Sequence, residues 1–283
     1  MNKVLITGKN GNISTAIADW LKNRHGILTE QVSLRGGSWG NLNFSDVDTV
    51  VHVAGIVPKE GVEVRDFYEI NYKLTEKFAE KAKKDDVRHF IYVSSMAIYG
   101  IEPQISPKKG TVQEDTLYAP TSDYGKSKLL AEESLKKLKD KNFNITIIRV
   151  PSVYGKGKTE YLDQYKHIAN KFDKIPKAFT ANYKSMINID NLCELIYLII
   201  KEKQYGIICP DDGQISAFDI CRAIYPYKKT SKVLGLIFEI LRFSNRVRDY
   251  FGAVCYSKTL TDVFNGEYRV TDFKDAINKS YEK

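Results

Sequence analysis

Tyr124-Gly125-Lys126-Ser127-Lys128 places a phenol and an ammonium four residues apart. On a helix, positions i and i+4 share a face, so both groups address one neighbour. A free Tyr titrates near ~10 and a free Lys near ~10.4. An ammonium beside the phenol favours the phenolate, so the spacing predicts a Tyr124 lowered toward neutrality and able to exchange a proton there. Ser94-Ser95 ends an apolar run, His89–Val93. A hydroxyl at that point, Ser95, is placed to orient a carbonyl or an alcohol against Tyr124. A lone Tyr and Lys at this spacing is usually an ordinary surface pair. Here the pair follows a glycine turn and a serine-ended strand in chain order, and the ordinary reading has to explain all three.

The glycine turn is Leu5-Ile6-Thr7-Gly8-Lys9-Asn10-Gly11-Asn12-Ile13-Ser14. Gly8 permits a tight turn out of a strand. Gly11 lets the backbone approach a pyrophosphate, whose charge the N-terminus of the following helix favours. Ser14 stands where a third Gly is usual and is small enough for close helix–strand packing. Gly8, Asn10, Gly11, Asn12 and Ile13 are therefore the expected dinucleotide contacts. No acid follows the second strand. Ser33-Leu34-Arg35-Gly36 occupies the place where Asp or Glu would bond the ribose 2′-hydroxyl of NAD. A guanidinium there suits a 2′-phosphate, so Arg35 points to NADP, with NAD as the alternative. A solvated loop arginine is the plainer reading.

These residues need a scaffold of alternating strands and helices. Apolar runs predict strands at Lys3–Thr7, Gln31–Leu34, Thr49–Ala54, His89–Ser94 and Asn144–Arg149. Helical patterns cover Ile13–Asn23, Phe67–Lys84 and Tyr124–Lys139. That alternation predicts an α/β fold, a doubly wound parallel sheet with ligands at the carboxyl ends of its strands. Gly36–Asp48 is short for a full crossover, and Gly40–Asn43 is the expected stub of a third strand. Ile187-Asn188-Ile189 reads as a returning strand, with Asp190 capping a helix through Ile200. Ser216 and Asp219 form a capping-box start to another helix. The expected division is a dinucleotide-binding domain over 1–158 with a returning segment near 185–208. A smaller substrate lobe takes 159–184 and 209–283.

The chain has 283 residues, 43% of them hydrophobic, enough for a large core. No apolar run reaches the ~20 residues needed to cross a bilayer. The first strand begins almost at once, so no leader is expected and the cytoplasm is the expected compartment. Cys193, Cys209, Cys221 and Cys255 show no CxxC spacing and no accompanying histidine cluster, which argues for buried thiols over a metal site. The net charge of +8 suits an anionic partner. Without any basic-aromatic repeat, nucleic acid is not the expected one. Within Ser231–Val254 an apolar run is followed by Arg246 and Arg248. It reads as a helix closing the substrate lobe, with an interfacial helix beside a membrane as the alternative.

Taken together the motifs resemble those of the extended short-chain dehydrogenase/reductases, the NAD-dependent epimerase/dehydratase group of nucleotide-sugar epimerases, dehydratases and ketoreductases. The resemblance covers about 1–220. It rests on Thr7-Gly8 through Gly11, Val51-His52-Val53-Ala54-Gly55, Asn71, and Val93-Ser94-Ser95-Met96-Ala97-Ile98-Tyr99-Gly100. Tyr124 with Lys128, Arg149 through Val153-Tyr154-Gly155, and Asn188-Ile189-Asp190-Asn191-Leu192 complete it. It implies a Rossmann fold in which Ala54, Gly55 and Val93 back the dinucleotide. Ser95 becomes the catalytic hydroxyl and Tyr124 the acid/base, while Lys128 holds the nicotinamide ribose. Pro151 and Val153 then face the cofactor. Met96, Ala97, Tyr99, Ser152 and Lys184 fall on the substrate side. A homodimer through Phe67–Lys84 and Tyr124–Lys139 is a further implication.

Three departures narrow the chemistry. The 4,6-dehydratases of this group carry an Asp-Glu pair where this chain has Met96 and Ala97, so dehydration is not expected. Ser152 replaces a frequent Asn. Lys184 stands in for an Arg that meets the substrate diphosphate, giving a point charge without bidentate geometry. The expected reaction is NADPH-dependent reduction of a UDP-4-keto-6-deoxy-N-acetylhexosamine for surface-polysaccharide precursors. The alternative is a 4-epimerase of a UDP-hexose or UDP-N-acetylhexosamine with tightly held NAD. A non-catalytic dinucleotide sensor is the third reading, which the intact Ser95, Tyr124 and Lys128 set opposes.

Overall fold

Lys3–Thr7 forms the first strand, β1, with Val4, Leu5 and Ile6 buried. The computed structural model describes residues 3–157 and 160–281. They fall into two units. The first holds the chain up to Gly100, Tyr118–Val150 and Leu192–Cys209. The second holds Ile101–Leu117, Pro151–Asn191 and the chain from Pro210.

In the first unit β1 leads through the glycine turn into α1 (Asn12–His25), then β2 (Thr29–Val32), β3 (Val47–His52) and α2 (Leu74–Lys84). β4 (His89–Ser95), α3 (Asp123–Leu138), β5 (Asn144–Val150), α4 (Ile189–Glu202) and β6 (Gly206–Ile208) follow. The six strands form one sheet in the order β6-β5-β4-β3-β1-β2, every pairing parallel. This is the expected α/β sheet with flanking helices. Strands covered on both faces are near-continuous apolar runs, which is why β3, β4 and β5 read so plainly in sequence. Phe78, Phe90, Phe143, Leu135 and Val50 pack the core beside them.

Several element boundaries differ from the sequence reading. β2 lies two residues earlier than Gln31–Leu34, because this edge strand carries exposed Glu30 and its polar half hides it from an apolar-run search. β3 likewise starts and ends two residues before Thr49–Ala54, leaving Ala54 and Gly55 in a loop. No strand forms at Gly40–Asn43. Gly36 and Gly37 turn left-handed (φ 76° and 73°) into a 3-10 turn, Ser38–Asn41. The chain then passes to the other side of β1, and β2 stays at the edge. The single helix expected over Phe67–Lys84 opens with a turn at Val64–Asp66. It runs as a π-helix through Phe67–Lys73 before becoming α2.

In the second unit Ser152–Tyr154 pairs in parallel with Met186–Asn188, and Tyr183–Lys184 pairs antiparallel with Ile215–Ser216. The returning strand thus ends at Asn188, and α4 begins at Ile189. Asn188, not Asp190, is the cap: its Oδ1 accepts from the Asp190 N–H (2.9 Å). The Ser216–Asp219 capping box forms as expected. Tyr154, Leu162, Tyr165, Ile175, Met186 and Ile220 lie in this unit's core. The expected helix within Ser231–Val254 divides into Lys232–Ile240 and Asn245–Phe251. All four cysteines are buried. Among the described residues no helix is long and apolar enough to cross a membrane.

Candidate active site

The glycine turn is built to leave space. Gly8 (φ +94°) and Asn10 (φ +68°) take left-handed conformations that close it tightly. The Gly11 N–H donates to the Gly8 carbonyl (2.9 Å). Ser14 does more than pack: its hydroxyl reaches the carbonyls of both Gly8 (2.5 Å) and Gly11 (3.0 Å). A Cβ at Gly11 would lie 3.0 Å from both the Gly8 oxygen and Ser14 Oγ. Among the described residues no side chain caps α1, and its first turn holds no acid. The positive end of the helix therefore keeps its field for an anion. Arg35 is exposed directly beyond β2.

Beside the turn, the Thr7 hydroxyl accepts from the Val53 and Ala54 N–H groups, both at 3.0 Å. Its own proton then goes to His52 Nδ1 (3.2 Å), and His52 Nε2–H donates to Thr75 (3.0 Å). This chain needs a neutral imidazole. Burial, helped by the Lys128 charge, lowers His52 to about 3. Asn71, in the π-helical segment, accepts from the Ile56 N–H (2.8 Å) and donates to its carbonyl (3.0 Å). It also reaches Ser127 on α3 (3.3 Å). A Cβ at Gly55 would come within 2.9 Å of Asn71 Oδ1 and 3.6 Å of Lys128 Nζ. Gly11 and Gly55 are thus packed so closely on neighbouring protein atoms that a side chain would crowd them, which keeps the turn and the Ala54–Gly55 loop tight against β1 and the π-helical segment.

Ser95, Tyr124 and Lys128 come together at the carboxyl end of β4. Ser95 ends the strand, and its Oγ accepts from the Ala97 N–H (3.1 Å), starting the 3-10 turn Met96–Tyr99. The Ser95 hydroxyl also lies near enough to the Tyr124 phenol to favour its ionised form. Ser122 caps α3 by accepting from the Gly125 N–H (3.1 Å), so Tyr124 sits in the helix's first turn. Lys128 is buried one turn later and donates to the Val93 carbonyl (3.0 Å), with its ammonium 4.8 Å from the Tyr92 ring. Met96 and Ala97 follow Ser95 directly and are half-buried.

One electrostatic expectation is corrected. Tyr124 is raised, not lowered: burial disfavours the phenolate, and the neighbouring Ser95 hydroxyl only partly offsets this. Burial lowers Lys128 itself to about 8, with Glu132 working in the opposite direction. At neutral pH this site therefore holds a protonated phenol beside a charged ammonium.

Behind the trio lies a buried ionic network that the motif reading missed. Glu132 accepts from Ser94 Oγ (2.6 Å) and from Arg149 Nη2 (2.7 Å). Arg149 Nη1 donates to the Tyr99 hydroxyl (2.7 Å), and the guanidinium lies 4.4 Å from the centre of the Tyr118 ring. Tyr99, expected on the substrate side, therefore engages its hydroxyl with Arg149. The signal for Glu132 was present: Tyr124, Lys128 and Glu132 lie at i, i+4 and i+8 on one helix face. Gly125 was also missed as a determinant. A Cβ there would lie 2.7 Å from the Ala97 oxygen.

The remaining expected residues belong to the second unit. Pro151 is buried, and Ser152 and Val153 are half-buried. Lys184 is buried, donates to the Asp249 carbonyl (3.4 Å) and is lowered to about 8 by burial.

A family model described as the NAD dependent epimerase/dehydratase family matches residues 4–198. A UDP-glucose 4-epimerase of Vibrio cholerae is 27% identical over 246 residues, spanning 78% of this chain and 74% of that protein. The N-acetyl-alpha-D-glucosaminyl-diphospho-ditrans,octacis-undecaprenol 4-epimerase of Escherichia coli O157:H7 is 28% identical over 222 residues. That match spans 72% of this chain and 65% of the relative. Among solved structures, the Bordetella bronchiseptica enzyme WbmH in complex with NAD+ superposes with a TM-score of 0.71 at 18% identity. The superposition covers 99% of this chain and 97% of that one, which shows a common fold.

Proposed function

Because the chain belongs to the NAD dependent epimerase/dehydratase family, we propose that it exchanges hydride at C4 of a nucleotide-linked sugar and acts as a 4-epimerase. The observation that carries this reading is the meeting of Ser95, Tyr124 and Lys128 at the carboxyl end of β4, with Met96 and Ala97 where a proton-transferring pair would sit. Such a site has one acid/base and no second group for water loss. Two relatives named as 4-epimerases support the same reaction.

A nicotinamide dinucleotide bound at the glycine turn would supply the hydride acceptor and donor. The residues to hold it are Gly8, Asn10, Gly11, Asn12 and Ile13 at the diphosphate, Ala54, Gly55 and Val93 behind it, and Lys128 at the ribose. Tyr124 takes the proton of the sugar hydroxyl when C4 is oxidised and returns it when C4 is reduced. Ser95 hydrogen-bonds the same oxygen and stabilises the charge that develops there. Lys128 keeps a positive charge near the phenol and favours the phenolate at the moment it forms. Met96, Ala97 and Tyr99 are assigned to the substrate side. Pro151 and Val153 are assigned to the cofactor by resemblance, and Ser152 and Lys184 to the substrate.

A 4-epimerase of this kind retains its cofactor. The test is to release nucleotide from the purified protein by acid. The protein is also incubated with UDP-glucose, UDP-N-acetylglucosamine and a polyprenyl-diphosphate-linked N-acetylglucosamine. Near-stoichiometric NAD and formation of a C4 epimer with no net absorbance change are expected. No epimer from any of the three would reject the reading.

A second reading, reduction of a UDP-4-keto-6-deoxy-N-acetylhexosamine by NADPH, is favoured by Arg35 in the place of the ribose-binding acid. Steady NADPH consumption with such a keto sugar would select it, and Arg35→Asp would then shift preference toward NADH.

A further inference from the structure

Helix Lys232–Ile240 in the second unit presents two unlike faces. Ser231 caps it, accepting from the Leu234 N–H (3.1 Å). Its inner face is Gly235 and Phe238. Gly235 rests directly on backbone, since a Cβ there would lie 2.2 Å from the Lys177 oxygen. Phe238 meets Phe172 and Phe251 edge-on or tilted, with ring centres 5.5 Å and 5.1 Å away.

The opposite face is Val233, Leu236, Ile237 and Ile240, the i, i+3, i+4, i+7 spacing of a single stripe. That stripe faces water. Leu241 and Phe243 extend it past the helix, and exposure across the six ranges from 47% at Ile237 to 86% at Phe243. A helix that packs on glycine and turns its large apolar side chains outward is arranged for a partner.

The charges around the stripe say which partner. Lys228, Lys229, Lys232, Arg242, Arg246 and Arg248 flank it, and Glu239 is the one carboxylate between Lys228 and Arg248. Lys229, Lys232, Arg242 and Arg246 are exposed. A second copy meeting this face about a two-fold axis would set these cations against themselves. An anionic surface would not. We propose that this face docks the chain on a bilayer rich in anionic lipid. Val233, Leu236, Ile237, Ile240, Leu241 and Phe243 enter the boundary between headgroups and acyl chains, and the flanking cations meet lipid phosphates. The attachment is peripheral, because nine residues of helix are too few to span.

The test is flotation of the whole chain with vesicles of equimolar phosphatidylglycerol and phosphatidylcholine, and with phosphatidylcholine alone. Binding to the anionic vesicles at least about tenfold stronger, and weakened by salt, is expected. Leu236→Glu with Ile240→Glu and Phe243→Glu should abolish flotation, and Arg242→Gln with Arg246→Gln should remove the anionic preference. All of these side chains are exposed, and an unchanged circular dichroism melt confirms that the variants fold. Failure of the folded wild-type chain to float, or flotation indifferent to the glutamates, overturns the proposal. So does a dimer that the glutamates dissociate with no vesicle binding, which would assign the face to self-association.

Discussion

Gly125 lets the helix that carries Tyr124 approach Ala97 so closely that a Cβ would lie 2.7 Å from the Ala97 carbonyl oxygen. Real side chains do not tolerate that distance against backbone. Alanine is worth up to about 1 kcal/mol over glycine inside a helix, so Gly125→Ala sets a local gain against a displacement of the catalytic helix. A shift of about 1 Å in a reacting group costs about a hundredfold in rate. The expected result is a loss of that order in kcat without a gain in Tm, read by epimer formation and thermal melts. An unaltered kcat would show that the close approach does not set the position of Tyr124.

Glu132 and Arg149 form a buried pair that also ties down Ser94 and Tyr99. Removing one partner strands a charge away from water. Glu132→Ala should therefore cost about 3–5 kcal/mol in denaturant unfolding. Replacing both groups by apolar residues of similar volume, Glu132→Met with Arg149→Leu, should recover much of that loss. Equal stability of the single and double variants would contradict the pairing.

His52 and His89 are both held neutral by burial, lowered to about 3 and about 4. In the unfolded chain each binds a proton below about 6.5. The unfolded state thus binds more protons across the window from pH 6.5 down to these values, so stability falls as pH falls through it. Each contributes a slope of about 1.4 kcal/mol per pH unit near pH 5.5. Unfolding free energies measured between pH 7 and pH 5 should steepen toward the sum of the two, about 2.8 kcal/mol per pH unit, and His52→Asn should about halve it. A stability independent of pH over this range would mean that the two imidazoles are solvated.

What could be read from the chain followed the range of the interactions involved. The glycine turn, the serine at the end of β4 and the Tyr124–Lys128 spacing are local patterns, and each lies where it was expected. The edge strand β2 was displaced by two residues because exposed Glu30 and half-buried Gln31 are polar and blur its pattern. Gly40–Asn43 was expected as a strand stub because the fold calls for a third strand and only Gly36–Asp48 was left to supply it. Yet Gly and Asn favour the 3-10 turn that forms. Topology decides otherwise, since the chain returns beside β1. Gly125, Glu132 and the clamp by Asn71 depend on contacts with residues distant in sequence, and no spacing rule reports those distances. The direction of the Tyr124 shift failed for the same reason. Burial of the phenol among residues distant in sequence raises it, and the i+4 lysine does not overcome that.

The central claim is that the phenol of Tyr124 is the proton carrier for redox chemistry at a sugar carbon. Its most direct measurement compares the wild-type chain with Tyr124→Phe, incubated with UDP-glucose and UDP-N-acetylglucosamine and followed by NMR at C4. The account predicts a C4 epimer from the wild-type chain and formation about 10³-fold slower in the variant. The same epimer forming at the same rate without the phenol would contradict it.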